Sequence, residues 1–307
     1  MRHAGWAKGF LAVAVALAPA GTQGACSAVT AVTAAGGNAT EATSPPDPSP
    51  LSPEQERRLG ANIGARLAGE LPGAPPAVQS YFREILSRLA PAAKADRPDA
   101  TFAFKVIDGP SAPNAFSTPS GTIYVHAALI ARANDDAEVA ALIAHEMSHV
   151  VHRHPLARLV RQLGLPAVAA LAADHDVIAQ DPHLAETLTA VTAGLLEGGP
   201  LLANQPAEEM TADADAARYL AQAGFAPGAL RSFMLAVMGP NQSPFKVFLG
   251  GHPPTPDRLA HLPIGSKAAG VRSAELVALK DRFRAVAHPS PSAAPPGALV
   301  RAAEPRR

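Results

Sequence analysis

Cysteine is almost absent: Cys26 is the single one in 307 residues, so the chain cannot close a disulfide within itself, even in an oxidising compartment. Net charge is absent as well. Lys+Arg and Asp+Glu both total 26, which leaves no basic field to attract nucleic acid and no acidic run to steer a cationic partner. No repeat of fixed length recurs, which excludes a solenoid. Apolar runs are short or interrupted. Gly9 to Ala20 is about a dozen residues against the roughly 20 a membrane helix needs; Leu163 to Leu171 contains Pro166, and Leu184 to Leu202 is broken by Glu186, Glu197 and Gly198-Gly199-Pro200. What is present is a hydrophobic content of 48%, enough for the core of one large domain or two small ones, and 31 prolines, densest near the two ends at 45–53 and 289–296.

The ends read differently from the middle. Arg2 and Lys8 precede the apolar run, and small residues follow at Ala20, Gly21, Gly24 and Ala25, so residues 1–25 are expected to be a signal peptide and the protein to be exported. Cys26 then leaves two readings open: a lipidated mature N-terminus that tethers the protein to a membrane, or ordinary signal cleavage beside it. Gln23, where a lipoprotein signal usually carries an aliphatic residue, counts against the first. Residues 26–52 are rich in Ala, Thr, Gly, Pro and Ser and are expected to be a flexible linker, and 286–307 a disordered tail. The folded domain is expected over 53–285.

Within it, Ser52-Pro53-Glu54 starts a helix, with Leu59, Ile63 and Leu67 at helical spacing, and a second amphipathic helix runs from about Ala77 to Leu89. Phe102 to Ile107 alternates as a strand, Asp108-Gly109-Pro110 breaks it, and Thr122 to Val125 forms another, predicting a small antiparallel sheet. An exposed edge of that sheet could receive an extended peptide through main-chain hydrogen bonds, unless a loop covers it. Helix resumes over Ala127 to Arg132. Asn134-Asp135-Asp136 caps the next one, apolar almost all round and expected at the buried centre.

That central helix carries His145-Glu146-Met147-Ser148-His149. Two imidazoles four apart share one face and can reach a single metal ion, while the Glu between them is placed to take a proton from a water that the metal activates. Burying two histidines and a carboxylate on such a helix is costly without a cation. A catalytic zinc needs a third protein ligand. The arrangement with a third His fails because Pro155 occupies its place, and a Glu some twenty residues on is missing because Ala169 stands there. His152 and His154 read as solvated residues at the helix end. Of Glu186, Glu197, Glu208 and Glu209, the last is favoured: Glu209 and Asp213 share a helical face, so one can bind metal while the other accepts the outer N–H of a ligating His. Glu208 falls on a neighbouring face, and Asp215 is expected to point outward. Asp174, His175, Asp176, Asp181 and His183 resemble a second metal cluster only superficially and read as a solvated connection.

The combination of His145-Glu146-x-x-His149, the Glu209-x-x-Ala212-Asp213 helix and the later His252-Pro253 resembles the zinc metallopeptidase family of the CAAX prenyl endopeptidases and the bacterial periplasmic quality-control proteases. The likeness runs from about Glu54 to Leu262 and is to the branch without membrane spans. It implies an α+β, mainly helical, zincin-type domain with its small sheet beside the motif helix. It also implies one zinc per subunit on His145, His149 and Glu209, with Glu146 as general base and Asp213 behind the ligands. In that family the insert between the two metal-binding helices is a variable lid. His252 is expected either to stabilise the oxyanion or to sit in the open zinc position at rest, and Arg258 to pair with a buried carboxylate nearby.

The function expected is a zinc endopeptidase of the cell envelope, periplasmic, with unfolded or misassembled envelope proteins as substrates. The alternative is a chaperone-like envelope binder whose zinc site is latent.

Overall fold

The structure, a computed structural model, describes residues 50–69, 71, 76–107, 113–198, 203–239, 245–264 and, within 273–281, all but 275 and 279. The signal peptide, the linker as far as residue 49 with Cys26, the break at Asp108-Gly109-Pro110, Gly199-Pro200 and the tail lie outside the described residues.

Helix α1 (Pro53–Ala68) begins at the expected place for the expected reason. Ser52 accepts from the Gln55 N–H while the Gln55 side chain accepts from the Ser52 N–H, a reciprocal cap, with Pro53 at the first position. Helix α2 (Pro76–Asp96) runs past Leu89 and carries Pro91 within it. Strands β1 (Ala103–Ile107), β2 (Ala115–Ser117) and β3 (Thr122–His126) form one sheet in the order β1-β3-β2.

That sheet is mixed. The β2–β3 pair is antiparallel, as the sequence led us to expect of the sheet, with Phe116 opposite Tyr124. The pair predicted to form it, β1 and β3, is instead parallel, with Phe104 opposite Ile123. The reason is β2, too short at three residues to show alternation. It makes the tight hairpin with β3 through Thr118–Gly121 and so occupies the antiparallel edge. Gly121 has φ +85, and a Cβ there would stand 1.8 Å from the Thr101 carbonyl oxygen, so only glycine closes this turn.

Helices α3 (Ala127–Arg132) and α4 (Asp136–Val151) follow, the latter capped by Asp135 accepting from the Glu138 N–H. Every residue of α4 from Ala137 to Val151 is buried. It packs on α2 and on the later helices α9 (Pro206–Gln222) and α10 (Ala229–Val237). The sheet divides two apolar clusters, because side chains alternate across it. Val106, Ile123 and Val125 join α2, α4 and α10 on one face; Ile107, Phe116 and Tyr124 join α1 and the insert on the other.

The insert between α4 and α9 is helical: α5 (His154–Leu163), α6 (Leu165–Leu171), α7 (His175–Gln180) and α8 (Pro182–Glu197). Its acidic and histidine residues form no metal cluster among the described residues; Asp181 caps α8 and Asp174 pairs with Arg58 at the surface. Two short helices, α11 (Lys246–Gly251) and α12 (Pro256–His261), return the chain to α9. Among the described residues no helix is long and apolar enough to cross a membrane.

Candidate metal centre

Three elements converge on the motif. Helix α4 presents His145 and His149 from one face, their rings 4.7 Å apart and nearly perpendicular. Helix α9 brings Glu209 from its first turn, and the loop after α11 brings His252. Glu209 is 1% exposed, whereas Glu186 and Glu197 face solvent and Glu208 pairs with Arg161 on the neighbouring face.

The mutual distances describe a coordination polyhedron. His145 Nε2 and His149 Nε2 are 3.1 Å apart; Glu209 Oε2 is 3.4 Å from the first and Glu209 Oε1 is 3.2 Å from the second. Donors at about 2.0–2.2 Å from a tetrahedral metal lie about 3.3–3.6 Å from one another, so these atoms have nearly the spacing of its edges. His252 Nδ1 stands at a fourth corner, 3.2 Å from His145 Nε2 and 3.1 Å from Glu209 Oε1. His145, Glu146, His149 and His252 each offer one ligating atom within 4.8 Å of the others.

Proton positions make the same point. His145 Nδ1 lies 3.1 Å from Asp213 Oδ1, which favours a proton on Nδ1 and makes Nε2 the nitrogen that is freed when the ring loses a proton. His149 Nδ1 faces His154 Nδ1 at 2.7 Å; with His149 Nδ1–H donating and His154 Nδ1 accepting, His149 Nε2 is left with a lone pair. With both rings neutral, two lone pairs and a carboxylate would point at one buried spot and repel one another, unless a proton on His145 or a metal cation lies among them. Burial disfavours a charge on His145, but the Glu209 and Asp213 carboxylates outweigh it and raise its pKa to about 9. Burial holds His149 well below its ordinary value. Burial pushes Glu209 up, yet the charges of His252 and His145 carry it well below the usual carboxylate range. The donor set therefore fits a divalent ion.

Glu146 stands beside this polyhedron. Ser117 Oγ, from β2, donates to Glu146 Oε2 at 3.1 Å, and buried Glu146 Oε1 takes no hydrogen bond among the described residues, with His252 Nε2 3.3 Å away. The strand next to the general-base candidate is thus β2, and it is wholly buried; just before it, Asn114 donates to the Leu195 carbonyl of α8. The edge that meets solvent is β1, across the sheet, exposed or half-buried from Ala103 to Lys105 and buried at Val106 and Ile107.

The comparison with protein families returns the model described as Peptidase family M48, matching residues 76–263, more than half of the chain. The chain belongs to peptidase family M48. Residues 76–263 hold every side chain of the centre just described. Among curated proteins, this M48 chain is 29% identical over 191 residues to a β-barrel assembly-enhancing protease of Escherichia coli K12, and equally to the protein of that name in Shigella flexneri. The Yersinia pestis protein of the same name is 28% identical over 189 residues. The matches cover 60–61% of this chain and 38% of each of those relatives.

Several residues of the M48 centre depart from the sequence reading. His154 is buried against His149, not solvated. Arg153 explains it: its left-handed backbone (φ 56) reverses the chain after α4 and folds α5 back onto the motif, while its guanidinium contacts Glu56 Oε1 at 2.7 Å. Asp215 does not point outward but accepts from Ser148 at 2.9 Å, lies 2.7 Å from His152 and pairs with Arg218 at 2.6 Å. Asn204 and Arg158 were missed; neither lies in a motif, and only a buried arginine on an otherwise apolar helix face hints at them.

Proposed function

We propose that this M48 chain is a zinc-dependent endopeptidase of the cell envelope, acting on unfolded or misassembled envelope proteins. The observation that carries the reading is the convergence of the His145 and His149 Nε2 atoms and the Glu209 carboxylate at metal-edge spacing, with a Glu146 oxygen that takes no hydrogen bond beside them. His145, His149 and Glu209 would hold the ion, which supplies Lewis-acid polarisation of a water and of the scissile carbonyl. Glu146 takes the water's proton on Oε1 and passes it to the leaving amine, while Ser117 fixes its other oxygen. Asp213 keeps His145 in the tautomer that leaves Nε2 for the metal, and Arg258 in turn fixes Asp213.

His252 occupies the corner that a water needs, and the ligands are all under 4% exposed. This supports a closed resting form that opens when His252 and the covering insert move; once displaced, His252 is free to donate to the oxyanion. The full set of catalytic groups favours an enzyme over a binder with a latent site, which needs no Glu146. Export to the periplasm rests on the leader-like residues 1–25, and the envelope substrates are supported by the name of the relatives, β-barrel assembly-enhancing proteases. Anchoring through Cys26 is decided by mass spectrometry of the mature N-terminus.

The test is Glu146→Gln assayed on casein. We expect zinc content to be kept and cleavage to be lost by at least about a hundredfold, as for removal of a general base; undiminished proteolysis would overturn the mechanism.

A further inference from the structure

Glu209 is gripped from two sides, and only one side involves a motif residue. Its Oε2 faces Arg258 Nη1 at 2.5 Å. Its Oε1 accepts from Asn204 Nδ2 at 2.7 Å, and the same amide nitrogen stands 3.4 Å from His149 Nε2. The Asn204 carbonyl oxygen accepts from Arg158 Nη1 at 2.6 Å. Arg158, on α5, is 4% exposed, a cation in the interior.

A side-chain amide has two nearly isosteric orientations, with opposite consequences here. Turned over, Asn204 would set its oxygen against Glu209 Oε1, acceptor facing acceptor. Arg158 offers only donors, so it accepts no partner but the Asn204 oxygen and forbids that orientation. The geometry points to Asn204 and Arg158 as a positioning pair for the metal ligand: Arg158 sets the sense of the Asn204 amide, and that amide holds Glu209 Oε1 toward the face where His145 and His149 present their Nε2 atoms. The inference rests on the metal reading above. It also ties the insert to the centre at both of its ends, because Arg158 belongs to its first helix and Asn204 to the stretch that leaves it for α9. Burial works against charge on the Arg158 guanidinium, and the carboxylates of Glu146, Glu208 and Glu209 support it, the last being the acid that Arg158 helps to order.

The experiment measures zinc affinity by competition with a chromophoric chelator, and the visible spectrum of the cobalt-loaded protein, on the full chain and its variants. Asn204→Ala and Arg158→Gln are each expected to weaken zinc binding by about 10–100-fold and to shift the cobalt bands, as removal of an outer-shell partner does. Arg158→Lys is expected to stay within about threefold of the parent, since a single N–H donor reaches Asn204. The double variant Asn204→Ala/Arg158→Gln is expected to bind no more than about twofold more weakly than Asn204→Ala alone, because Arg158 acts through the amide. Thermal unfolding of the metal-free proteins monitors folding; Asn204→Ala, at a loop position, decides the matter if Arg158→Gln does not fold. Zinc affinity within about twofold of the parent and an unchanged cobalt spectrum in Asn204→Ala, or additive losses in the double variant, would overturn the pair. A parent chain that takes up no zinc would instead remove the metal reading itself, with His149→Ala as the matching control.

Discussion

Arg258 grips Asp213 through two parallel hydrogen bonds, Nε to Oδ2 at 2.7 Å and Nη2 to Oδ1 at 2.6 Å, and spends its remaining nitrogen on Glu209 and the Pro253 carbonyl. One buried guanidinium thus spans α12 and two carboxylates of α9, one of which orients His145. A fork–fork geometry of this kind is specific to arginine.

Arg258→Ala is therefore expected to take the cation away from two buried carboxylates of α9, at a cost of about 3–5 kcal/mol. Arg258→Lys, which cannot bond bidentately, should recover only part of it. Urea unfolding measures both; a loss under about 1 kcal/mol for the alanine variant would show that the carboxylates find other partners.

His252→Ala is expected to open the fourth corner of the centre without removing a ligand proper. Zinc should remain, but a chelator should strip it faster, by about tenfold or more, because an incoming ligand meets no imidazole at the vacated corner. Stopped-flow chelation reads this directly, and an unchanged rate would place His252 outside the resting coordination.

Metal affinity should rise with pH. In the metal-free protein the Glu209 and Asp213 carboxylates, against the effect of burial, hold the His145 pKa at about 9, so below that pH a proton competes with the metal for the imidazole. Affinity is expected to increase about tenfold per pH unit between pH 6.5 and 8, with one proton released on binding. Calorimetry in buffers of different ionisation enthalpy counts that proton; no release would mean that His145 is already neutral.

Asp215 links stability to acid. Burial opposes its ionisation, but bonds from His152, Arg218 and Ser148 carry its pKa down to about 2. A depressed folded-state pKa contributes stability above the unfolded value of about 3.9, lost as pH falls toward 2. After allowance for its partly solvated partners, Asp215→Asn should cost about 1–2 kcal/mol at pH 6, and the gap from the parent should shrink between pH 4 and 2. Urea unfolding at several pH values checks the trend; a constant gap would assign the cost to packing instead.

What the sequence determined by itself was whatever depends on local periodicity. The i, i+4 spacing of His145 and His149 and of Glu209 and Asp213 puts each pair on one helical face before any tertiary contact forms. Ser52-Pro53 and Asp135 fix where α1 and α4 start by bonding to backbone groups three residues away. The all-apolar surroundings of the motif told correctly that α4 lies at the centre. Only the tertiary structure decided which partners meet across long stretches of chain. The parallel pairing of β1 with β3 depends on a three-residue strand that takes the other edge. The burial of His154 depends on one left-handed residue, Arg153. Asn204 and Arg158, 46 positions apart, become partners because the insert folds back on α9. Side chains on different elements share no period, so their meeting is set by packing and loop closure, and a single chain of letters does not carry it.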